Sequence, residues 1–207
     1  LLRLTATGSN SAEMGELAEA ELELQRAIGL DPDNANAHYQ LGQVYSQIQH
    51  PEEALAQYQI AAQQGNPNAA AALAGLYVEQ GNDAQAAAQA IHTLAELPET
   101  AETRSLRYQL YLHLGEARLN QGRFNQALES LQIAARLAQE LAQSDANSGQ
   151  ATAPAAAPFC LLAETLEQQQ QRQAARSFWQ RCLNYANQSD PEEDRWIGTA
   201  MEQLEGE

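Results

Sequence analysis

Four histidines, two cysteines and several clusters of charge are the residues of this chain with the most reactive chemistry. His38, His50, His92 and His113 show no metal-ligand spacing, and the chain has no His-Glu-x-x-His run, paired Cys-x-x-Cys or phosphate-cradling glycine loop. No catalytic residue, cofactor or metal is therefore expected, and the chain does not read as an enzyme. Cys160 and Cys182 are too few for a disulfide framework. They fall on the two helices of one unit, which leaves contact between them open, and their expected role is that of inert, small, buried residues in preference to a redox pair. The cluster Glu13, Glu16, Glu19, Glu21 and Glu23 reads as a solvated helix face. Arg104, Arg107, Arg118 and Arg123 form a local basic contrast that is expected to pair with nearby glutamates. Receiving an acidic partner or a second copy is the alternative.

The elements that carry these residues are read from composition and period. The 207 residues bear a formal charge of -16, with 27 acidic residues against 11 basic ones. All the basic residues are arginine. That balance argues against a nucleic-acid backbone or an anionic membrane surface as partner. It leaves a protein or peptide that is neutral to basic. Ala, Leu, Gln and Glu dominate, the residues that lose least on entering a helix, so the class is all-α.

A repeat organises the helices. Ala20, Leu24 and Ala27 recur 34 residues later as Ala54, Tyr58 and Ala61. Ahead of the second set stand His38, Leu41-Gly42 and Tyr45. A third unit shows Leu73, Ala74, Tyr77, the turn residue Gly81, Ala86 and Pro98. The fourth shows Tyr111, Leu114-Gly115, Gly122, Ala127, Leu131 and Ala134. The fifth shows Phe159, Leu162-Ala163, Ala175, Trp179 and Cys182. This grammar resembles that of the tetratricopeptide-repeat family over nearly the whole chain.

The resemblance implies a right-handed α-solenoid of antiparallel helix pairs. The expected units are 1–34 (incomplete), 35–66, 67–100, 101–143 and 156–189. In the first unit, Leu1 to Leu4 read as the tail of a truncated helix. The Thr, Gly, Ser and Asn residues from Thr5 to Asn10 read as a break, and Ser11 as the N-cap of a helix to about Gly29. Residues 144–155 read as a flexible insertion loop. Asp190-Pro191 reads as the start of a helix that caps the stack through Trp196, Ile197, Ala200 and Leu204.

Function follows from the same resemblance. In the family, the first helices of successive units line a concave groove that holds a peptide. Carried onto this register, the groove includes Asn36, Tyr39, Gln40 and Gln43, then Asn68, Ala71, Ala72 and Gly75. It continues with Leu112, His113, Glu116 and Asn120, and then with Glu164, Glu167 and Gln168. The lining is amide-rich and acidic. No Lys or Arg converges at the places where chaperone-docking members grip a carboxylate, so tight capture of an acidic C-terminal peptide is not expected.

A scaffold or adaptor for complex assembly is the leading expectation. A regulatory or oligomerisation arm of a larger enzyme, such as a kinase or transferase, and a self-assembling module are the alternatives. Abundant Ala and Gln with Arg but no Lys resembles the usage of bacterial proteins of this kind. The cytoplasm is the expected location; the chain begins at Leu1, which leaves an upstream anchor or signal open.

Overall fold

The computed structural model describes residues 3–147, 153–187 and 194–205. Among them are ten helices and no strand. In order they are α1 (Arg3–Leu30), α2 (Ala35–Gln47), α3 (Pro51–Gln63), α4 (Pro67–Glu79) and α5 (Asp83–Glu96). There follow α6 (Arg104–Asn120), α7 (Phe124–Asn147), α8 (Ala157–Gln168), α9 (Arg172–Tyr185) and α10 (Asp194–Glu205). Two compact units divide them, Leu1–Leu76 and Tyr77–Glu207, with the boundary inside α4.

In the first unit, α2 packs on α3 and on α1. The Asn34 side chain caps α2 by accepting from the Ala37 amide at 3.0 Å. Pro51 opens α3 at a position where no backbone donor is needed. Between α2 and α3 the turn passes through Gln49 at φ 59°. Leu41, Ala54, Tyr58 and Ala61 are buried. Gly42 faces the ring of Tyr58 so closely that a Cβ there would lie 2.5 Å from the ring. Small residues thus set the approach of the two helices and large ones fill the space beside them.

α1 differs from expectation. It runs unbroken from Arg3, so the break at residues 5–10 and the N-cap at Ser11 are not formed. Each Ser, Thr or Asn costs a helix only a few tenths of a kcal/mol and Gly about 1 kcal/mol, a weak bias that a continuing helix overrides.

In the second unit, α6 packs on α5 and α7, α7 on α8, α8 on α9, and α9 on α10. The turns between paired helices use Gly81 (φ 71°), Gly122 (φ 71°) and Gln170 (φ 61°). One core runs from Leu119 and Leu131 through Phe159, Leu162, Trp179 and Cys182 to Ala200. Ala200 belongs to α10, and Trp196 and Leu204 pack against the same core, which is the contact expected of a terminal cap. The Asp190-Pro191 start lies outside the described residues. The expected loop from residue 144 begins instead as helix, because α7 runs to Asn147. Ala138 and Ala142 keep the buried stripe going through that last stretch.

The cysteines require a correction. Cys160 of α8 and Cys182 of α9 are joined by a disulfide, with Cα atoms 4.9 Å apart. The spacing of 22 residues takes the chain once up one helix and back along the next. Both side chains therefore face the same seam, and proximity becomes a bond.

Candidate partner-binding faces

α2 buries Ala37, His38, Leu41 and Val44. The rest of the helix is left to carry the polar row Asn36, Tyr39, Gln40 and Gln43, at i, i+3, i+4 and i+7. Asn36, Gln40 and Gln43 are exposed and Tyr39 is half-buried. The row is ordered by its own contacts. Gln43 donates to the Tyr39 hydroxyl at 3.0 Å, and Asn66 donates to Asn36 Oδ1 at 2.9 Å. The Tyr39 ring lies 5.9 Å from that of Tyr58, which fixes its tilt, and burial raises its hydroxyl pKa.

On α4, Asn68 is exposed and Ala72 half-buried, but Ala71 and Gly75 are buried. These last two belong to the core and not to a groove, because four consecutive alanines gave no polarity by which to tell the faces apart. His38 is also core. Its ring nitrogens lie 2.7 Å from Gln57 Oε1 and 3.0 Å from the Pro32 carbonyl.

In the second unit, His113 and Glu116 on α6 and Glu164 on α8 are half-buried, and Asn120 is exposed. Asn120 donates to Asp83 at 2.9 Å. Glu167 accepts from the Trp179 indole at 2.9 Å and so anchors α9 to α8. Burial pushes the His113 imidazole down to about 4. In the unfolded chain it returns to about 6.5. The folded state therefore holds fewer protons than the unfolded one between these values. Stability is full above pH 6.5 and is lost as pH falls towards 4. With the ring partly exposed, the loss is expected to reach about 2 kcal/mol. Urea titrations at pH 7.5 and 4.5 should show it, and His113→Gln should remove that part of the difference.

Two of the four arginines, Arg104 and Arg107, pair with glutamates as expected, whereas Arg118 bonds a hydroxyl instead. Arg104 meets Glu140 at 3.2 Å, and buried Arg107 holds Glu99 and the Leu97 carbonyl. Arg118 donates to Ser130 at 2.6 Å. Arg136, which was not singled out in the sequence, also meets Glu140, at 2.7 Å. It lies 32 residues along the chain from Arg104, and only the α6–α7 pairing shows the link. Of the glutamate cluster, Glu16, Glu19 and Glu23 are exposed. Glu21 instead accepts from Tyr45 at 3.1 Å and Gln25 at 2.9 Å, tying α1 to α2.

A groove of about 500 Å³ on the first unit was also missed. It lies between α1 and α2 and includes Gln40 and Gln43 from the polar row. Its other wall is Ala20, Leu24 and Ala27, which the repeat marks as core residues. Among the described residues no group of three or more His, Cys, Asp or Glu side chains is placed to hold a metal ion.

Helices packed in successive pairs, with a glycine at the close approach of α2 to α3 and of α6 to α7, define an all-α repeat protein. Residues 10–49 match a TPR repeat model and residues 108–141 a tetratricopeptide repeat model. Both stretches carry tetratricopeptide repeats. Among solved structures the chain is similar to MamA, at 15% identity and a TM-score of 0.64, covering 86% of this chain and 93% of that one. It is also similar to PilF of Pseudomonas aeruginosa, at 18% identity and a TM-score of 0.66, covering 97% and 88%. A third is YrrB, described as a TPR protein with an unusual peptide-binding site, at 20% identity and a TM-score of 0.61, covering 91% and 86%. These likenesses carry the fold. No curated protein sequence matches the chain.

Proposed function

We propose that this protein is a scaffold that holds a protein or peptide partner on the polar faces of its first-of-pair helices and contributes no chemistry of its own. The observation that carries this reading is the row on α2. Asn36, Tyr39, Gln40 and Gln43 are ordered, accessible and rich in groups that both donate and accept hydrogen bonds. Asn68 extends the surface of the first unit. His113, Glu116, Asn120 and Glu164 offer the second unit's own stretch. A neutral to basic segment suits both, given the acidic balance of the chain.

Tyr39 is the expected anchor, since aromatic side chains dominate interface energies. A pull-down with the double variant Tyr39→Ala, Glu116→Ala is expected to lose the partners that the unaltered protein retains. Equal recovery of every partner by both would remove this reading.

No helix among the described residues is long and apolar enough to cross a membrane. The disulfide favours an oxidising compartment over the cytoplasm, where thiols are kept reduced.

A further inference from the structure

The second unit gathers positive charge at one place. Of the chain's 11 basic residues, Arg104, Arg107 and Arg136 line a single cleft of about 210 Å³. Arg104 and Arg107 lie three residues apart on α6. Ile133, Arg136, Leu137 and Glu140 fall at i, i+3, i+4 and i+7 on α7, so each set shares one helix face. The α5–α6 connection adds Glu99 to the lining.

Two carboxylates answer these three guanidinium groups, which leaves the lining one positive charge in excess within a chain of net charge -16. Glu140 is shared: one oxygen lies 3.2 Å from Arg104 Nε and the other 2.7 Å from Arg136. Arg107 donates to the Leu97 carbonyl at 3.1 Å and to Glu99, and stands over the ring of Tyr111. Its side chain is 9% exposed, whereas that of Glu99 is 79% exposed. A buried cation is costly to leave unpaired, yet its carboxylate here sits in solvent. Guanidinium groups offer more donors than these contacts use. Glu102, near Arg104, is exposed and outside the lining, where water and salt screen it.

We propose that this cleft is a binding site for a carboxylate on a short aliphatic stem. Arg104, Arg107 and Arg136 grip the carboxylate, and Glu99 is the chain's own acid that the ligand displaces. Carboxylate chemistry follows from the planar fork of each guanidinium and from the two carboxylates the cleft already orders. The single surplus charge suits a monoanionic group better than a phosphate, which would carry more charge up to Glu140. Ile133 and Leu137 give the stem an apolar surface. At about 210 Å³ the cleft is smaller than the roughly 300 Å³ at which drug-sized sites begin, so the occupant is a side chain or a small acid. The same chemistry is presented by a Glu side chain of a protein partner and by a free dicarboxylate such as glutarate.

The site is separate from the polar faces proposed above. At about 100° per residue, Arg104 and Arg107 lie on the opposite side of α6 from His113, Glu116 and Asn120. The inference therefore goes beyond the scaffold reading and fails or survives independently of it.

The test uses the full chain labelled with ¹⁵N, with the arginine Nε–H signals followed by NMR. Three solutes are titrated: glutarate, the blocked tripeptide Ala-Glu-Ala, and phosphate, each against sodium chloride at matched ionic strength. Glutarate or the tripeptide is expected to shift the Arg104, Arg107 and Arg136 signals saturably, and Ala-Gln-Ala is expected not to. Arg104→Gln and, separately, Arg136→Gln should weaken binding at least about tenfold. Glu99→Gln should tighten it at least about threefold, because the competing acid is gone. Circular dichroism establishes that each variant is folded. Tighter binding of the tripeptide than of glutarate would assign the site to a partner's side chain, and the reverse order to a free acid.

Shifts that sodium chloride reproduces would overturn the inference. So would an affinity that Glu99→Gln leaves unchanged or weakens, since a merely structural ion-pair cluster gains nothing from losing that acid. Tighter saturation of the same arginines by phosphate would refute the carboxylate assignment.

Discussion

Gly115→Leu is expected to destabilise the second unit by about 3 kcal/mol or more, the upper range for overpacking a formed core. Even a single Cβ at residue 115 would lie 2.5 Å from both Cγ and Cδ2 of Leu131 and 3.4 Å from the Leu131 backbone nitrogen. Leu131 is itself fully buried, so it has no free space into which to retreat. A leucine asks for four carbons where one does not fit. Its helix propensity, about 1 kcal/mol better than that of glycine, offsets only part of the cost. Urea unfolding should show a lower midpoint with an unchanged slope. Gly29→Ala is the control, because a Cβ there meets nothing within 4 Å. That variant should be neutral or slightly stabilising. An unchanged midpoint for Gly115→Leu would mean that the helix pair is not set by close approach at this residue.

Loss of the Cys160–Cys182 bond should cost the second unit about 3 kcal/mol, the chain-entropy value for a closed loop of this length. Both sulfurs are fully buried beside Phe159 and Trp179, so replacing them with two alanines removes the link while leaving small apolar residues in place. Two measurements check it. Alkylation of the denatured, unreduced protein should find no free thiol. The midpoint of the double variant Cys160→Ala, Cys182→Ala should match that of the reduced wild type, below that of the oxidised protein. Thiols that label without reduction, or equal midpoints in the two redox states, would refute it.

How much of this was legible from the sequence depends on whether a residue type or a distance carried the information. The helix pairs were legible, because Leu41-Gly42 and Leu114-Gly115 mark the close approaches and Gly81 and Gly122 mark turns that need a positive φ. Gln49 and Gln170 fill the same left-handed turn position in two other pairs, and their residue type does not announce it. The start of α1 was misread because propensity differences of tenths of a kcal/mol were summed into a break. The end of α7 was misread because polar, small residues near Ser144 were given to the loop.

At the candidate faces, the α2 row was legible from its polarity alone. The alanine-rich α4 was not, so Ala71 and Gly75 were assigned to a surface from which they are absent. The disulfide was withheld for another reason: spacing placed the cysteines on adjacent helices but could not say which way each pointed. The groove on α1 escaped because Ala20, Leu24 and Ala27 carry the signature of buried residues; only their half-exposure shows the seam to be open.

The sealing of the last pair gives the second unit an order in time. In a repeat protein each pair leans on its neighbours, so fluctuations that open the fold begin where a pair has the least support. At one end, a covalent staple and α10 hold the last pair shut. Loosening of the second unit is therefore expected to reach α8 and α9 last, so the staple works as a brake on the opening of that unit.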